Sequence, residues 1–275
     1  MFSRLTCAIL ALTFAHAQLA PDQQAFERFR IWIAGQPVAS RGTAGVTEQK
    51  ANADLLRRYR AYLKDNGSTD AEIDAQIELI EKHGESLEAA RWNRYFKAEK
   101  PAYNTKPNGF LVEMINNRKT GRALDVAMGQ GRNSIWLAQQ GWDVTGFDIA
   151  DEAVAMANEQ AARLGVKIHA VVKSMDDFDF GENRWDLILL SYAGGGKLVD
   201  RIQRALKPGG ILVLEAFHDD TLKTMKIGGS LFTTGQLPHL FQGLRTVRYE
   251  EPIAQADFAP KPSRVVRFCA QKPEE

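Results

Sequence analysis

Cysteine and long tracts of one charge are what this sequence of 275 residues most clearly lacks. Only Cys7 and Cys269 are present, and Cys7 falls in an N-terminal segment that we expect to be removed. A single remaining cysteine excludes an internal disulfide. No run of Lys and Arg is long enough to follow a phosphate backbone, and the net charge is only +1. A nucleic-acid partner is therefore not expected.

Long apolar stretches are also missing beyond residue 17, so the sequence predicts no membrane-spanning helix. Residues 1–17 combine a basic head ending at Arg4, an apolar run from Leu5 to Phe14 and a small-x-small site at Ala15–Ala17. This pattern is typical of a secretory signal peptide. We expect a secreted or periplasmic protein whose mature chain begins at Gln18, and a cytoplasmic one if the segment is not a signal.

Two patterns that carry chemistry are absent as well. The sequence has no His, Cys and Asp at metal-ligand spacing and no Gly-x-Ser-x-Gly turn. It therefore predicts neither a bound metal nor a serine nucleophile.

What the sequence does contain is a glycine-rich turn after an apolar segment that carries an acid. The segment Ala123–Gly131 runs through Asp125 to Gly129 and Gly131, and a second apolar run ends at Asp148. Glycines let a backbone pass close to a ligand. A carboxylate at the end of the second strand lies where a ribose presents its hydroxyls. The pattern predicts a site for a nucleoside cofactor.

Two cofactors fit this pattern to different degrees. Asp148 lies 19 residues after Gly129, close to the spacing of NAD-binding folds. Ser134, however, stands where those folds have a third glycine, and Asp125 places an acid in a strand that they keep apolar. An acid there suits a ligand that brings a cation close by, such as the ammonium of a methionine moiety.

Strands alternate with helices from residue 123 onward, which predicts a parallel sheet with helices on both faces. The last two apolar runs, Leu244–Glu250 and Arg264–Gln271, have no helix between them and are expected to pair antiparallel. The five earlier strands are expected at Ala123–Met128, Asp143–Asp148, Ile168–Val172, Trp185–Ser191 and Ile211–Ala216. Before the sheet, we expect a linker over residues 18–48 and then amphipathic helices at Gln49–Leu63, Ala71–His83 and Leu87–Ala98.

Four motifs, in this order, resemble those of the class I S-adenosylmethionine-dependent methyltransferases. They are Leu124–Gly131, the acid Asp148 after Val144–Phe147, Trp185–Ser191 and Leu206–Leu214. The first departs from the family pattern at Ala127, where the family has a glycine. The resemblance covers roughly residues 108–272, and Gly131–Ala138 is further similar to the branch that methylates tellurite and thiopurines.

The resemblance implies an α/β, Rossmann-like fold. Its seven-stranded sheet is mostly parallel, has helices on both faces and follows a helical N-terminal extension. Residues 1–17 are then the signal peptide, 18–107 the linker and helical cap, and 108–275 the methyltransferase domain. The implied cofactor is S-adenosylmethionine, and the implied reaction is methyl transfer to a small-molecule acceptor.

The implied cofactor contacts lie at the carboxyl ends of the strands. Asp125 would hold the methionine ammonium, directly or through water, and Asp148 would accept both ribose hydroxyls. The backbone under the cofactor would come from Ala127, Gly129 and Gly131. The remaining predicted contacts are Ile149 and Met175 beside the adenine, Asp176 at its amino group, and Ser191 at the end of the fourth strand.

Methyl transfer from a sulfonium is an in-line displacement, in which positioning provides much of the acceleration. A soft or acidic acceptor needs no strong base, whereas a hydroxyl or amine does. Tyr192 and His218, just past the fourth and fifth strands, are the candidates for that base. The segment Ser191–Gly195 replaces the Asn/Asp-Pro-Pro-aromatic motif of enzymes that methylate amide or ring nitrogens. A predicted aromatic lid over the acceptor consists of Trp92, Tyr95, Phe96 and Tyr103.

Two alternatives stay open at this point. The first is a cofactor-binding module of the same fold that has lost catalysis, because Ala127 and Ser174 depart from the family pattern. The second is an NAD-dependent oxidoreductase.

Overall fold

The computed structural model describes residues 21–34, 48–82, 84–97, 104–223, 231–259 and 261–274. The predicted signal peptide and Tyr103 lie outside these ranges. The chain forms two compact units, and among the described residues the second begins at Tyr95, earlier than residue 108. Within the same ranges, no helix has the length and apolarity that a bilayer crossing requires.

The described part of the first unit is helical. Its helices are α1 Pro21–Ala34, α2 Glu48–Asp65, α3 Asp70–Glu81 and α4 Gly84–Phe96, whose last two residues belong to the second unit. The prediction of a linker over residues 18–48 is wrong for Pro21–Ala34. Ala25, Phe29 and Ile33 recur at helical spacing and are buried in an aromatic and aliphatic cluster with Tyr59, which stabilises this helix.

The second unit is built on one sheet. Its strands are β1 Arg122–Val126, β2 Asp143–Asp148, β3 His169–Val172, β4 Trp185–Ser191, β5 Leu206–His218, β6 Leu231–Phe232, β7 Arg245–Glu250, β8 Ile253–Ala254 and β9 Ser263–Gln271. Its helices are α5 Gly109–Ile115, α6 Arg132–Gln139, α7 Asp151–Arg163, α8 Val199–Ala205 and α9 Gln236–Leu240, with a 3-10 helix at Asp219–Lys223.

The main path of the sheet runs β3-β2-β1-β4-β5-β9-β7. The first five strands of this path pair parallel, and β9 pairs antiparallel with β5 and β7. The seven-stranded, mostly parallel sheet is thereby confirmed. The short strands β6 and β8 pair with the end of β5 and the start of β9. They were not predicted, because two residues are too few to show alternation.

Alternating side chains of the strands fill both faces of the sheet. Along β4, Leu187 and Leu189 join the cluster that contains Phe110 of α5, whereas Ile188 joins the cluster that contains Ile202 of α8.

Because the first five strands of the path are parallel, their carboxyl ends lie at one edge of the sheet. β1 lies between β2 and β4, where the strand order reverses, and open α/β sheets bind ligands at such a switch point.

Candidate functional site

The turn after β1 and the end of β2 are joined by hydrogen bonds to one carboxylate. The Gly129 amide donates to Asp148 Oδ2 at 2.8 Å, and the Ala150 amide donates to Oδ1 at 2.9 Å. Asp148 is buried, and this burial raises the pKa of its carboxyl group against the effect of the backbone donors. Each oxygen keeps a further lone pair, so the carboxylate can still accept from a diol placed over the turn.

Asp125 is a buried acid inside β1, and it is held by the first turns of α6. Ser134 Oγ donates to Asp125 Oδ2 at 2.7 Å. Burial raises the pKa of Asp125 to about 6, while the Ser134 bond and the charge of Arg132 oppose this rise. Ser134 occupies the place of the third glycine of NAD-binding folds, and here its hydroxyl positions the acid. This arrangement favours a ligand with a cationic group over a dinucleotide.

The turn has a left-handed backbone at three positions. The φ angles of Ala127, Gly129 and Gly131 are 52°, 56° and 78°. A left-handed alanine costs about 1–2 kcal/mol relative to the right-handed conformation. Ala127 therefore keeps the turn geometry of the glycine it replaces, and this departure from the family pattern does not remove the turn.

The two glycines face different neighbours. A Cβ on Gly129 would lie 2.9 Å from Cζ of Phe96, whereas a Cβ on Gly131 would lie 2.8 Å from Cβ of Ala157 in α7. Gly131 therefore allows α7 to pack closely against the turn, a role that the sequence argument did not assign to it. Phe96, a residue of the predicted aromatic lid, contacts this turn, and the lid over the acceptor stays a prediction.

The turn also carries an unused donor. Gln130 Nε2 is buried and has no hydrogen-bond partner among the described residues. A buried donor without an acceptor costs about 1–3 kcal/mol, so a ligand group that accepts from it would remove that cost. The free donor of Gln130 suits the methionine carboxylate of S-adenosylmethionine. The Asp125 carboxylate suits its ammonium group, and the Asp148 carboxylate suits its ribose hydroxyls. The residues present therefore fit this cofactor.

The other predicted contacts lie at the same edge with different exposure. Ile149 and Met175 are half-buried, and Asp176 is exposed. Met175 Sδ would be 3.5 Å from a Cβ on Gly194, which places Met175 beside the segment that follows β4. Ser191 Oγ accepts from Arg132 at 3.0 Å. The roles of these four side chains toward an adenosine stay predictions.

A buried network next to the turn was missed by the sequence argument. Asp257 Oδ2 accepts from Arg132 at 2.6 Å and from Asn108 Nδ2 at 2.9 Å, and its Oδ1 accepts from Asn104 at 3.1 Å. The side chains of Arg132 and Asp257 are only 6% and 7% exposed. Asp257 thus links Asn104 and Asn108, which precede α5, to Arg132, the first residue of α6, by hydrogen bonds.

Glu215 of β5 is the second acid of this network. It accepts from Asn108 Nδ2 at 2.7 Å, from Tyr192 Oη at 2.7 Å and from Arg267 Nε at 2.6 Å. Tyr192 has a left-handed backbone with φ of 58°, a strained conformation for a bulky residue. Burial, followed by the charges of Glu215 and Asp257, raises the pKa of Tyr192 well above its usual value.

His218, the other candidate base, is buried with both ring nitrogens engaged. The Asp220 amide donates to Nδ1 at 3.0 Å, which leaves Nε2 to donate to Thr234 Oγ1 at 3.0 Å. The ligand atoms of His218, Asp219 and Asp220 lie within 4.8 Å of one another. The Asp220 carboxylate is already paired with Lys223 and lies 3.5 Å from Arg264, so this cluster is balanced by cations of the chain itself.

Comparison with known proteins agrees with this geometry. A family described as "Methyltransferase domain" matches residues 123–210. The probable S-adenosyl-L-methionine-dependent methyltransferase TehB of Haemophilus influenzae is 28% identical over 70% of this chain and 75% of its own length. The ribosomal RNA small subunit methyltransferase C of Alcanivorax borkumensis is 32% identical over 38% of this chain, but the match spans only 35% of that protein. A methyltransferase of Synechocystis is 30% identical, with 47% of its length covered.

The crystal structure of TehB from Haemophilus influenzae has the same fold. It superposes with a TM-score of 0.52 and 19% identity over 60% of this chain and 62% of that chain. These matches support a class I S-adenosylmethionine-dependent methyltransferase related to TehB. S-adenosylmethionine is accordingly its cofactor.

Proposed function

We propose that this chain transfers the methyl group of S-adenosylmethionine to a small-molecule acceptor. The observation that carries the proposal is the pair of hydrogen bonds that joins the Gly129 turn to Asp148 at the switch point of the sheet. In the proposed arrangement Asp148 holds the ribose diol, Asp125 faces the methionine ammonium, and Gln130 donates to the methionine carboxylate. The bound cofactor supplies a methyl group that its sulfonium has already activated.

The state of the candidate bases favours one kind of acceptor. The Tyr192 hydroxyl donates to Glu215, and both nitrogens of His218 are occupied. Neither side chain is therefore free to remove a proton. We expect an acceptor that arrives ionised or carries a soft atom such as a thiolate, for which orientation is sufficient. Tyr192→Phe should then lower stability, because Glu215 loses a donor, and should retain turnover.

The small-molecule part of the proposal is supported by charge. The net charge of +1 and the absence of basic runs in the sequence do not favour binding to a phosphate backbone. The relatives give no support to the NAD-dependent oxidoreductase or to an inactive binding module.

Export remains a separate proposal, because residues 1–17 lie outside the described part. An intact Met1 on protein from the native host would contradict it.

Two measurements test the proposal in sequence. Calorimetry with S-adenosylmethionine, S-adenosylhomocysteine and NAD should show binding of the first two only. A turnover assay with a broad acceptor panel, including thiols, phenols, amines and inorganic oxyanions, then separates an enzyme from a binding module. Binding of NAD alone would overturn the cofactor assignment. Cofactor binding without turnover of any acceptor would favour the inactive module.

A further inference from the structure

The ring of Phe96 rests directly on the glycine of the cofactor turn. A Cβ on Gly129 would lie 2.9 Å from Cζ and 3.1 Å from Cε1 of Phe96, and apart from the chain neighbours of Gly129 its three nearest atoms all belong to this ring. Phe96 itself is only 6% exposed. The ring therefore covers the position that a side chain of residue 129 would occupy.

This contact leaves no space for a ligand between the ring and the turn. Non-bonded carbon atoms approach to about 3.5–4.0 Å, so a sugar or an alkyl chain on Gly129 needs a separation of about twice that from the ring above it. The same glycine donates to Asp148, the proposed ribose ligand. A cofactor that uses both residues must occupy the volume in which the ring now lies.

We propose that Phe96 is a gate that closes the cofactor site, and that binding requires its ring to leave the turn. The proposal rests on the proposed function, because it assumes that the cofactor lies over Gly129. The structure then represents the closed state. Apparent affinity is the affinity of the open state multiplied by the fraction of molecules that are open.

The residues on either side of Phe96 in the chain also contact the second unit. Tyr95 packs edge-on against Phe96 at 5.6 Å between ring centroids and lies 6.5 Å from Phe258. On the other side, Lys97 Nζ is 2.6 Å from Glu152 Oε1 of α7, with side chains that are 59% and 31% exposed. Exposed ion pairs of this kind contribute little and are screened by salt. An aromatic contact and a solvent-exposed ion pair thus flank the gate.

The first test removes the ring. Phe96→Ala in the full-length protein should bind S-adenosylhomocysteine about tenfold more tightly or better, measured by calorimetry, if the closed state holds nine-tenths or more of the molecules. Its association rate should rise by a similar factor. Phe26→Ala, a half-buried phenylalanine of α1, is the control for a general loss of aromatic packing and should leave the affinity unchanged.

The second test removes the ion pair between Lys97 and Glu152 and keeps the ring of Phe96. Lys97→Gln should raise the affinity for S-adenosylhomocysteine about two- to threefold, and added salt should raise the affinity of the wild type more than that of this variant. Lys82→Gln is the control, because Lys82 forms a similar ion pair with Glu78 at 3.0 Å, with side chains that are 64% and 69% exposed. This test stands even if Phe96→Ala fails to fold.

The outcomes separate the gate from the cofactor site. If neither the wild type nor Phe96→Ala binds S-adenosylhomocysteine, the proposed function fails. If the wild type binds and Phe96→Ala binds equally or more weakly, the gate is refuted; a weaker variant would show that the ring supports the bound ligand. Tighter binding by both Phe96→Ala and Lys97→Gln, with unchanged controls, establishes the gate.

Discussion

Gly131 lies so close to Ala157 that it cannot gain a Cβ without a clash. A Cβ on Gly131 would lie 2.8 Å from Cβ of Ala157, inside any ordinary carbon–carbon contact, and the φ angle of Gly131 is 78°. The helix that follows β2 therefore packs directly on the turn that follows β1. The third glycine of the family motif serves helix packing at this position.

Gly131→Ala should consequently destabilise the fold by about 2–4 kcal/mol, from overpacking together with left-handed strain. Urea unfolding measures this loss. The double variant Gly131→Ala/Ala157→Gly should recover the part of the lost unfolding free energy that comes from overpacking. Gly165→Ala is the matched control, because Gly165 has φ of 66° and nothing within 4 Å of a Cβ. Equal losses for Gly131→Ala and Gly165→Ala would show that the contact with Ala157 contributes nothing.

Asp148→Ala should weaken the binding of S-adenosylhomocysteine by about 2 kcal/mol or more, because charge-assisted hydrogen bonds to the ribose are lost. The same change removes the acceptor of the Gly129 amide, so the turn also loses the hydrogen bond that holds it to the end of β2. Asp148→Asn keeps one acceptor oxygen and should fall between the wild type and Asp148→Ala. Calorimetry provides the affinities, and circular dichroism confirms folding. Asp143→Ala, at the exposed start of β2, should bind normally; a folded Asp148→Ala that also did so would exclude Asp148 from the site.

The cofactor half of the site could be predicted because its residues are close in sequence. Asp125, the glycine turn and Asp148 lie on two consecutive strands joined by one helix, so the order of apolar runs and acids is sufficient to place them. The parallel pairing of the first five strands followed from the alternation of strands and helices. Helix α1 was missed because its apolar spacing was not recognised between two polar stretches.

The buried network could not be predicted in the same way. Arg132 and Asp257 are 125 residues apart, and Asn108 and Asp257 are 149 residues apart, so no local pattern joins them. One signal was available and unused: Glu215 is an acid within the apolar strand β5, just as Asp125 is within β1. The contact between Phe96 and Gly129 likewise joins residues that no local pattern relates.

The Arg132–Asp257 pair should be worth far more than the ion pairs of the surface. Because its side chains are 6% and 7% exposed, removing one partner leaves a buried charge without compensation, at a cost of about 3–5 kcal/mol. Arg132→Met and Asp257→Asn should each destabilise the protein strongly, and the double variant should lose clearly less than the sum. The exposed pair of Arg57 and Asp54, 73% and 52% exposed, is the comparison. Additive losses in the unfolding free energy of the buried pair would contradict this coupling.

Asp125 should make both stability and cofactor binding depend on pH in the range from about 4 to 6. Its folded pKa is about 6, above the value of 3.8 for the free group, because of burial. The native state therefore binds more protons than the unfolded state in this window, so the contribution of Asp125 to stability is present at low pH and is lost as the pH rises to about 6.

Asp125→Asn removes this titration and keeps the size of the side chain. Other carboxyl groups titrate in both proteins, so the informative quantity is the difference between wild type and variant: from pH 4 to 7 the variant should lose less unfolding free energy than the wild type.

Ligand binding should depend on pH in the opposite direction to stability, because an ammonium beside Asp125 favours the ionised carboxylate. The affinity of the wild type for S-adenosylhomocysteine should therefore rise between pH 5 and 7, and calorimetry below pH 6 should detect proton release on binding. In Asp125→Asn the affinity should be lower and its rise with pH smaller; parallel curves for the two proteins would mean that Asp125 does not face the methionine ammonium.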